Sequence, residues 1–521
     1  MLIFQSLLGL IALCLALALV ARRLNLPVAV SLVLGGIAVG FVPALPDVKL
    51  EPELALALFL PPLLQLSGYR TDWPAFRRKL RPILLLAVGA VLFTAVAVAV
   101  VARWMVPELP WGAAIALGAI LAPPDAVAAA AVLKHLKPPK HVVTVLEGES
   151  LLNDAASLVL YRFAVGATMA GSFSWREGAV AFFMSALGGG LVGFLIGRLA
   201  MWIFARLDDT LHDITVSVLA GYAAYLGAEA LHVSGVLGVV GCGLVLGRNQ
   251  HHVFSAKTRI EARAVWDFIE FVLTSLVFML IGMQLPSIVE RLVRYDLHSL
   301  EALGLAVSGT LIVSRFLWIF PVSWIPRRLS ASLRERDPMP PPRELVVLSW
   351  AGMRGVVSLA AALALPASFV GRDIIVFLAF CGIFATLVLQ GTTLGPLIRF
   401  LHVTEEGTPG PDPEQVTARR DAATAALSAM EERLSDPAHR EAAADLADEY
   451  RERADQATRL LENDEEADRI AHQLQLRLDA IDAARTGLTE KRADHDDEAF
   501  RSLTEELDLE EEQIRRELGE H

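Results

Sequence analysis

Cysteine is nearly absent from this sequence. The three in 521 residues, Cys14, Cys242 and Cys381, all lie inside apolar runs, where a thiol behaves as a small hydrophobe. That placement excludes a disulfide framework and a cysteine-based metal motif. Charge is also scarce over stretches longer than a soluble core sustains: Leu2–Ala21, Pro82–Ala102, Ala179–Ile196 and Leu300–Ile325 are of membrane length or close to it. A bilayer-spanning helix needs about 20 apolar residues. Positive charge is missing before the first of these runs, where a secretory signal carries it, and Arg22 and Arg23 come after it instead. The first run therefore reads as a retained helix. No catalytic triad, metal motif or nucleotide-binding loop is visible, which argues against an enzyme. No selectivity-filter loop is visible either, which argues against a channel or ion-gated sensor.

What the chain does have is hydrophobicity, 54% of residues with a mean hydropathy of +0.49. The pattern predicts an all-α polytopic membrane protein of about 13 spans before residue 402. The spans fall at approximately 2–21, 26–43, 54–68, 82–102, 111–133, 142–167, 178–204, 211–231, 233–248, 264–285, 300–325, 343–366 and 373–401; they are called the first to thirteenth segments below. Basic residues gather in alternate loops: Arg77, Arg78, Lys79 and Arg81; Lys134, Lys137 and Lys140; Arg248, Lys257, Arg259 and Arg263; Arg327, Arg328, Arg334 and Arg336. The intervening loops are neutral or acidic, as at Asp47, Glu51 and Glu53. The positive-inside rule then puts loops after odd-numbered segments, and the carboxyl terminus, in the cytoplasm.

The formal charge of −12 conceals a division. Residues 404–521 hold about 34 acidic and about 15 basic side chains, which leaves roughly +7 on the membrane part. Two domains are expected: a transmembrane part, 1–403, and an acidic helical tail, 404–521. The tail follows a linker marked by Gly407, Pro409, Gly410, Pro411 and Pro413, and it suits a solvated hairpin or a short coiled coil. The twelve histidines, His135, His141, His251 and His252 among them, lie mainly in loops and tail, where solvated histidine is the common case.

Three segments carry polar chemistry. In the fifth, Pro123, Pro124 and Asp125 interrupt an apolar run. Proline removes a donor and breaks the helix, and a break at membrane depth is tolerated only where the freed backbone is buried or lines a cavity. Asp125 is placed to cap the second half-helix, with contact to an ion as the alternative.

The sixth segment carries Glu147, Glu149, Ser150, Asn153 and Asp154. Intramembrane carboxylates mark an ion or proton path by default. Ser150, Asp154 and Ser157 share one helical face, and Glu149 and Asn153 share a neighbouring one. Asp154, about two turns deeper than Glu147, is poorly explained as part of an interfacial cluster. The twelfth segment holds Arg354 between Gly352 and Gly355, and a guanidinium there requires a buried carboxylate. Glu149 is the expected partner. Segments five and twelve occupy matching positions in two six-segment halves of inverted topology, and paired broken helices point to a transporter site. Arg315, Asp267 and Glu270 read as interfacial or supporting pairs.

At these residues the sequence resembles the bacterial form of the cation:proton antiporter-1 family of sodium/proton exchangers. The resemblance rests on Gly148-Glu149-Ser150-Leu151-Leu152-Asn153-Asp154-Ala155, on Pro123-Pro124-Asp125-Ala126-Val127-Ala128, on Gly352-Met353-Arg354-Gly355-Val356-Val357-Ser358 and on Phe59-Leu60-Pro61-Pro62-Leu63-Leu64, and it runs to about residue 401. It implies antiport of a monovalent cation, sodium or alternatively potassium, against protons. Asp154 would be the shared carboxylate, with Ser150 beside it on the Na+, Asn153 in support, Asp125 next to the site, and Glu149 paired with Arg354. It further implies two crossed broken helices, a homodimer and an elevator-like movement of a six-helix core. The chain departs from many relatives at Pro124 and Ala126, where they have threonine and proline, and at Gln65 and Leu66, where some have an acidic residue. No cofactor and no nucleic acid are expected. The partners are the ions, membrane lipid and a second copy, and the location is the cell inner membrane with the tail in the cytoplasm.

Overall fold

The structure, a computed structural model, describes all residues except 1, 25, 43–51, 134–137, 171–174, 208, 293–295, 404–412, 437–438, 463, 491–496 and 518–521. Asp47, Glu51, Lys134, His135, Lys137, Gly407, Pro409, Gly410 and Pro411, named above, lie outside the described residues. Those described form helices and no strand. Two compact units divide between residues 404 and 405.

In the first unit, helix covers most of each apolar run: Leu2–Arg23, Val28–Gly40, Pro52–Arg70, Leu80–Met105, Lys140–Ala170, Trp175–Phe204, Thr210–Ala230, Gly235–Val253, Ala256–Met283, Leu297–Leu329 and Arg372–Leu401. Short polar residues between the runs start the next helix. Asp209 accepts hydrogen bonds from the Leu211 and His212 amides, Ser234 from that of Leu237, Ser255 from that of Thr258 and Asp296 from that of Ser299. Each satisfies an amide that a helix start leaves without a partner. Five helices among the described residues are long and apolar enough to cross a bilayer on their own: Leu80–Met105, Phe183–Phe204, Ala256–Arg291, His298–Leu329 and Arg372–Leu401.

Segments five and twelve are each split. The fifth comprises Trp111–Leu121 and Ala126–Leu133, and the twelfth Pro342–Trp350 and Val356–Leu363. Segments four, five, six, eleven, twelve and thirteen pack chiefly on one another, and one, two, three, seven, eight, nine and ten form a second bundle beside them. The two split helices thus lie in the six-helix bundle. Apolar side chains remain exposed along segment seven, including Phe183, Met184, Leu187, Leu191, Phe194 and Leu195.

The second unit is built of Pro413–Arg433, Arg440–Glu462, Asp464–Glu490 and Asp497–Glu517. The first two pack along each other. Leu474, Leu478, Ile481 and Ile514 form a small core between the last two, and Arg485 bridges the same pair through Asp508 and Glu511. Its bonds to Arg485 and Arg515 hold the Glu511 carboxyl below the usual carboxylate range.

Candidate functional site

Two consecutive prolines leave the fifth segment with carbonyls that no helical amide can reach. The carbonyl of Ala119 would accept from residue 123, which is proline, and it accepts from Ser157 Oγ at 2.8 Å instead. The amide of Asp125 turns away to donate to the Met353 carbonyl at 2.7 Å. Leu121 O, deprived of that donor, accepts from Arg354 Nε at 2.8 Å, while Arg354 Nη2 reaches Ala122 O at 3.4 Å. Pro124 O accepts from Asn153 Nδ2 at 2.9 Å. Buried carbonyls need such partners, and here the sixth and twelfth segments supply them.

The twelfth segment is unwound over Ala351–Gly355 and held by its neighbours. Arg354 N donates to Thr386 Oγ1 at 3.1 Å. Thr386 opens a π-helical stretch, Thr386–Gln390, in segment thirteen. The Arg354 guanidinium also donates to Gly352 O. Each break therefore satisfies backbone groups of the other. Both glycines are required by close approach: a Cβ on Gly355 would overlap the Asp125 carboxylate, and one on Gly352 would overlap the Arg315 side chain.

The expected pairing of Glu149 with Arg354 is corrected by the geometry. Glu149 receives two parallel hydrogen bonds from Arg315, Nη1 to Oε1 at 2.7 Å and Nη2 to Oε2 at 3.0 Å. Both side chains are 1% exposed. Arg315 Nη2 also donates to Leu348 O at 3.1 Å. Arg354 needs no direct carboxylate, because the carbonyls freed by the proline break satisfy its guanidinium, although Glu149 and Arg315 stay within electrostatic reach. Of the two readings open for Arg315, the geometry fits the supporting pair and not the interfacial one: it lies in the protein interior, between segments six and twelve.

Asp154, Asp125 and Ser150 line one small cavity, about 50 Å³, together with Pro123, Pro124, Gly355 and the hydroxyl-bearing Ser67, Thr274 and Ser358. Asp154 is 8% exposed. A space of this size holds one or two water-sized occupants. Asn153 is fully buried but absent from the cavity wall, so its contact is with the broken backbone. Sequence reasoning missed Ser67 and Thr274 as lining groups, since an isolated hydroxyl on an apolar helix ordinarily bonds its own backbone. The partner of Arg315, though not the residue itself, was missed; the rule applied to Arg354, that a lone arginine deep in an apolar run needs a buried partner, points to it.

Four buried charged groups and the partly buried Asp125 meet around the breaks. Glu149, Asp125 and Asp154 oppose Arg315 and Arg354, so with every group ionised the set carries a single net negative charge. One monovalent cation or one proton neutralises it.

Residues 9–400 match the family model described as sodium/hydrogen exchanger, transmembrane. An uncharacterised Na+/H+ exchanger of Mycobacterium bovis is 36% identical over 411 residues, 77% of this chain and 74% of that protein. The Na+/H+ antiporter NhaS2 of Synechocystis is 32% identical over 389 residues, 74% of this chain and 68% of its own length. A sodium, potassium, lithium and rubidium/H+ antiporter of Bacillus pumilus is 35% identical over 379 residues, 70% of this chain and 56% of its own length. The solved structure of the sodium proton antiporter MjNhaP1 from Methanocaldococcus jannaschii shares the fold, with a TM-score of 0.61 at 20% identity over 77% of this chain and 99% of that one.

Proposed function

The chain belongs to the sodium/hydrogen exchanger family, a family of membrane cation/proton antiporters, and from that premise we propose that Asp154 is the carboxylate that a monovalent cation and a proton occupy in turn. The observation that carries the reading is the cavity between the bundles, where Asp154, Asp125 and Ser150 meet at the two broken helices. A carboxylate that holds either ion but not both couples their movement without a second device. Asp154 and Ser150 supply oxygens to the cation, and Asp125 sets the charge of the wall. Asn153, Arg354 and Ser157 keep the unwound backbone in place. Arg315 and Glu149 form the structural ion pair.

The single net negative charge favours electroneutral exchange, one proton for one monovalent cation. Sodium is the first candidate, in line with the names of the Synechocystis and Methanocaldococcus proteins. Potassium is the specific alternative, because the Bacillus pumilus relative is named for sodium, potassium, lithium and rubidium. Exchange by alternating access fits a site whose wall is shared by two bundles. The exposed apolar side chains of segment seven suit membrane lipid or a second copy in a homodimer. About thirteen crossings come from the apolar runs, and a cytoplasmic tail from the distribution of basic loops; a cell inner-membrane location accords with both.

The test is proton flux in proteoliposomes driven by sodium, lithium or potassium, with and without an ionophore that collapses the membrane potential. Electroneutral exchange predicts a rate indifferent to that collapse. A rate that rises when the potential is collapsed would show net charge movement and refute the one-for-one reading.

A further inference from the structure

We propose that Thr274, on segment ten, supplies a hydroxyl ligand to the transported cation from the bundle facing Asp154. The inference rests on the ion site proposed above and extends it across the boundary between the bundles. Thr274 and Phe278, one helical turn apart on Ala256–Met283, both line the cavity that holds Asp154, Asp125 and Ser150. Thr274 Oγ1 is buried and makes no hydrogen bond among the described residues. Other helical threonines behave differently: Thr168, Thr215, Thr310 and Thr392 each donate to the carbonyl four residues back. A buried hydroxyl carries a cost unless a partner meets it, and the nearest chemistry that calls for a neutral oxygen donor is the cation in the cavity.

The position gives this ligand a distinct role. Asp154, Ser150 and Asp125 belong to the six-helix bundle, whereas Thr274 belongs to the other. A ligand from the opposite bundle stays with the cation only while the two bundles keep this arrangement. The hydroxyl therefore tightens cation binding in one conformation and releases it when the bundles shift. It adds no charge, so the balance between one cation and one proton is unchanged. Carboxylates alone would leave part of a small cation's shell to water, and a fixed hydroxyl favours an ion of matching radius.

The experiment compares unsubstituted protein, Thr274→Val, Thr274→Ala, Thr274→Ser and Asp154→Asn in proteoliposomes. Proton flux is measured against sodium, lithium and potassium concentration at fixed pH. Thr274→Val and Thr274→Ala should raise the sodium concentration for half-maximal flux about tenfold, as loss of one hydrogen-bonding group to a charged partner does. Their maximal rate should fall by no more than about twofold, and the ratio of sodium to potassium affinity should change. Thr274→Ser should restore the sodium affinity. If Thr274→Val does not fold, Thr274→Ala carries the same expectation with less volume. Unchanged sodium affinity in the folded variants, or a loss of maximal rate alone that serine does not rescue, would overturn the assignment and make Thr274 a packing residue. Failure of the site itself would look different: Asp154→Asn would still exchange sodium for protons.

Discussion

Glu149 lies within the electrostatic reach of two arginines, and only Arg315 touches it. Removing one member of a buried pair leaves the other charge without its partner, at about 3–5 kcal/mol. Arg315→Ala is therefore expected to lower the thermal stability of the detergent-solubilised protein by that amount, and Glu149→Gln in the same chain should restore part of it. A double variant no more stable than Arg315→Ala would contradict the pairing. Asn153 has an equally specific task, since its Nδ2 donates to Pro124 O and a carboxylate cannot. Asn153→Asp should therefore lose about 1–3 kcal/mol of stability at neutral pH, read by the same thermal melt; an unchanged melting temperature would dissociate Asn153 from the backbone of the break. The sequence made the buried arginine in segment twelve legible, because an intramembrane charge demands a partner. It did not reveal that partner. Which carboxylate meets which guanidinium depends on how segments six, eleven and twelve cross, and two prolines had already freed carbonyls that Arg354 could use.

At the scale of elements, the two broken helices act as one braced unit: the amide of Asp125 bonds Met353, and the side chain of Arg354 bonds Leu121 and Ala122. Proline and glycine marked both breaks in the chain, although a proline pair alone does not decide one: Pro61-Pro62 lies within the continuous helix Pro52–Arg70, whereas Pro123-Pro124 interrupts its helix. The cross-bracing of the breaks was not legible, because it joins residues about 230 apart in sequence. Gly355→Ala tests the brace from its tightest point. The new methyl group must displace the Asp125 carboxylate, and overpacking of this kind costs about 1–3 kcal/mol. We expect Gly355→Ala to reduce cation-driven proton flux by at least about tenfold, the rate equivalent of 1.4 kcal/mol, while protein of normal size distribution is still recovered from the membrane. Flux equal to that of the unsubstituted protein would mean that the Asp125 carboxylate has room to move without consequence.

The whole molecule separates its tasks by charge and by packing. The carboxyl-terminal unit is strongly acidic and has its own small core, while every group assigned to the ion lies in the membrane unit. Within that unit the six-helix bundle carries the broken helices, and the second bundle closes the cavity with Ser67, Thr274 and Phe278. Hydropathy foretold the membrane part and its helices, whereas the shared wall of the site depends on long-range packing that no local pattern encodes. The central claim is that Asp154 is occupied alternately by cation and proton. It is tested most directly by sodium-driven proton flux in proteoliposomes containing Asp154→Asn beside the unsubstituted protein, at matched density and across pH. The account predicts no exchange by the folded variant at any pH, and for the unsubstituted protein a sodium requirement that rises as pH falls, because protons and sodium compete for one carboxylate. Sodium-driven proton flux in Asp154→Asn at the unsubstituted rate would contradict it.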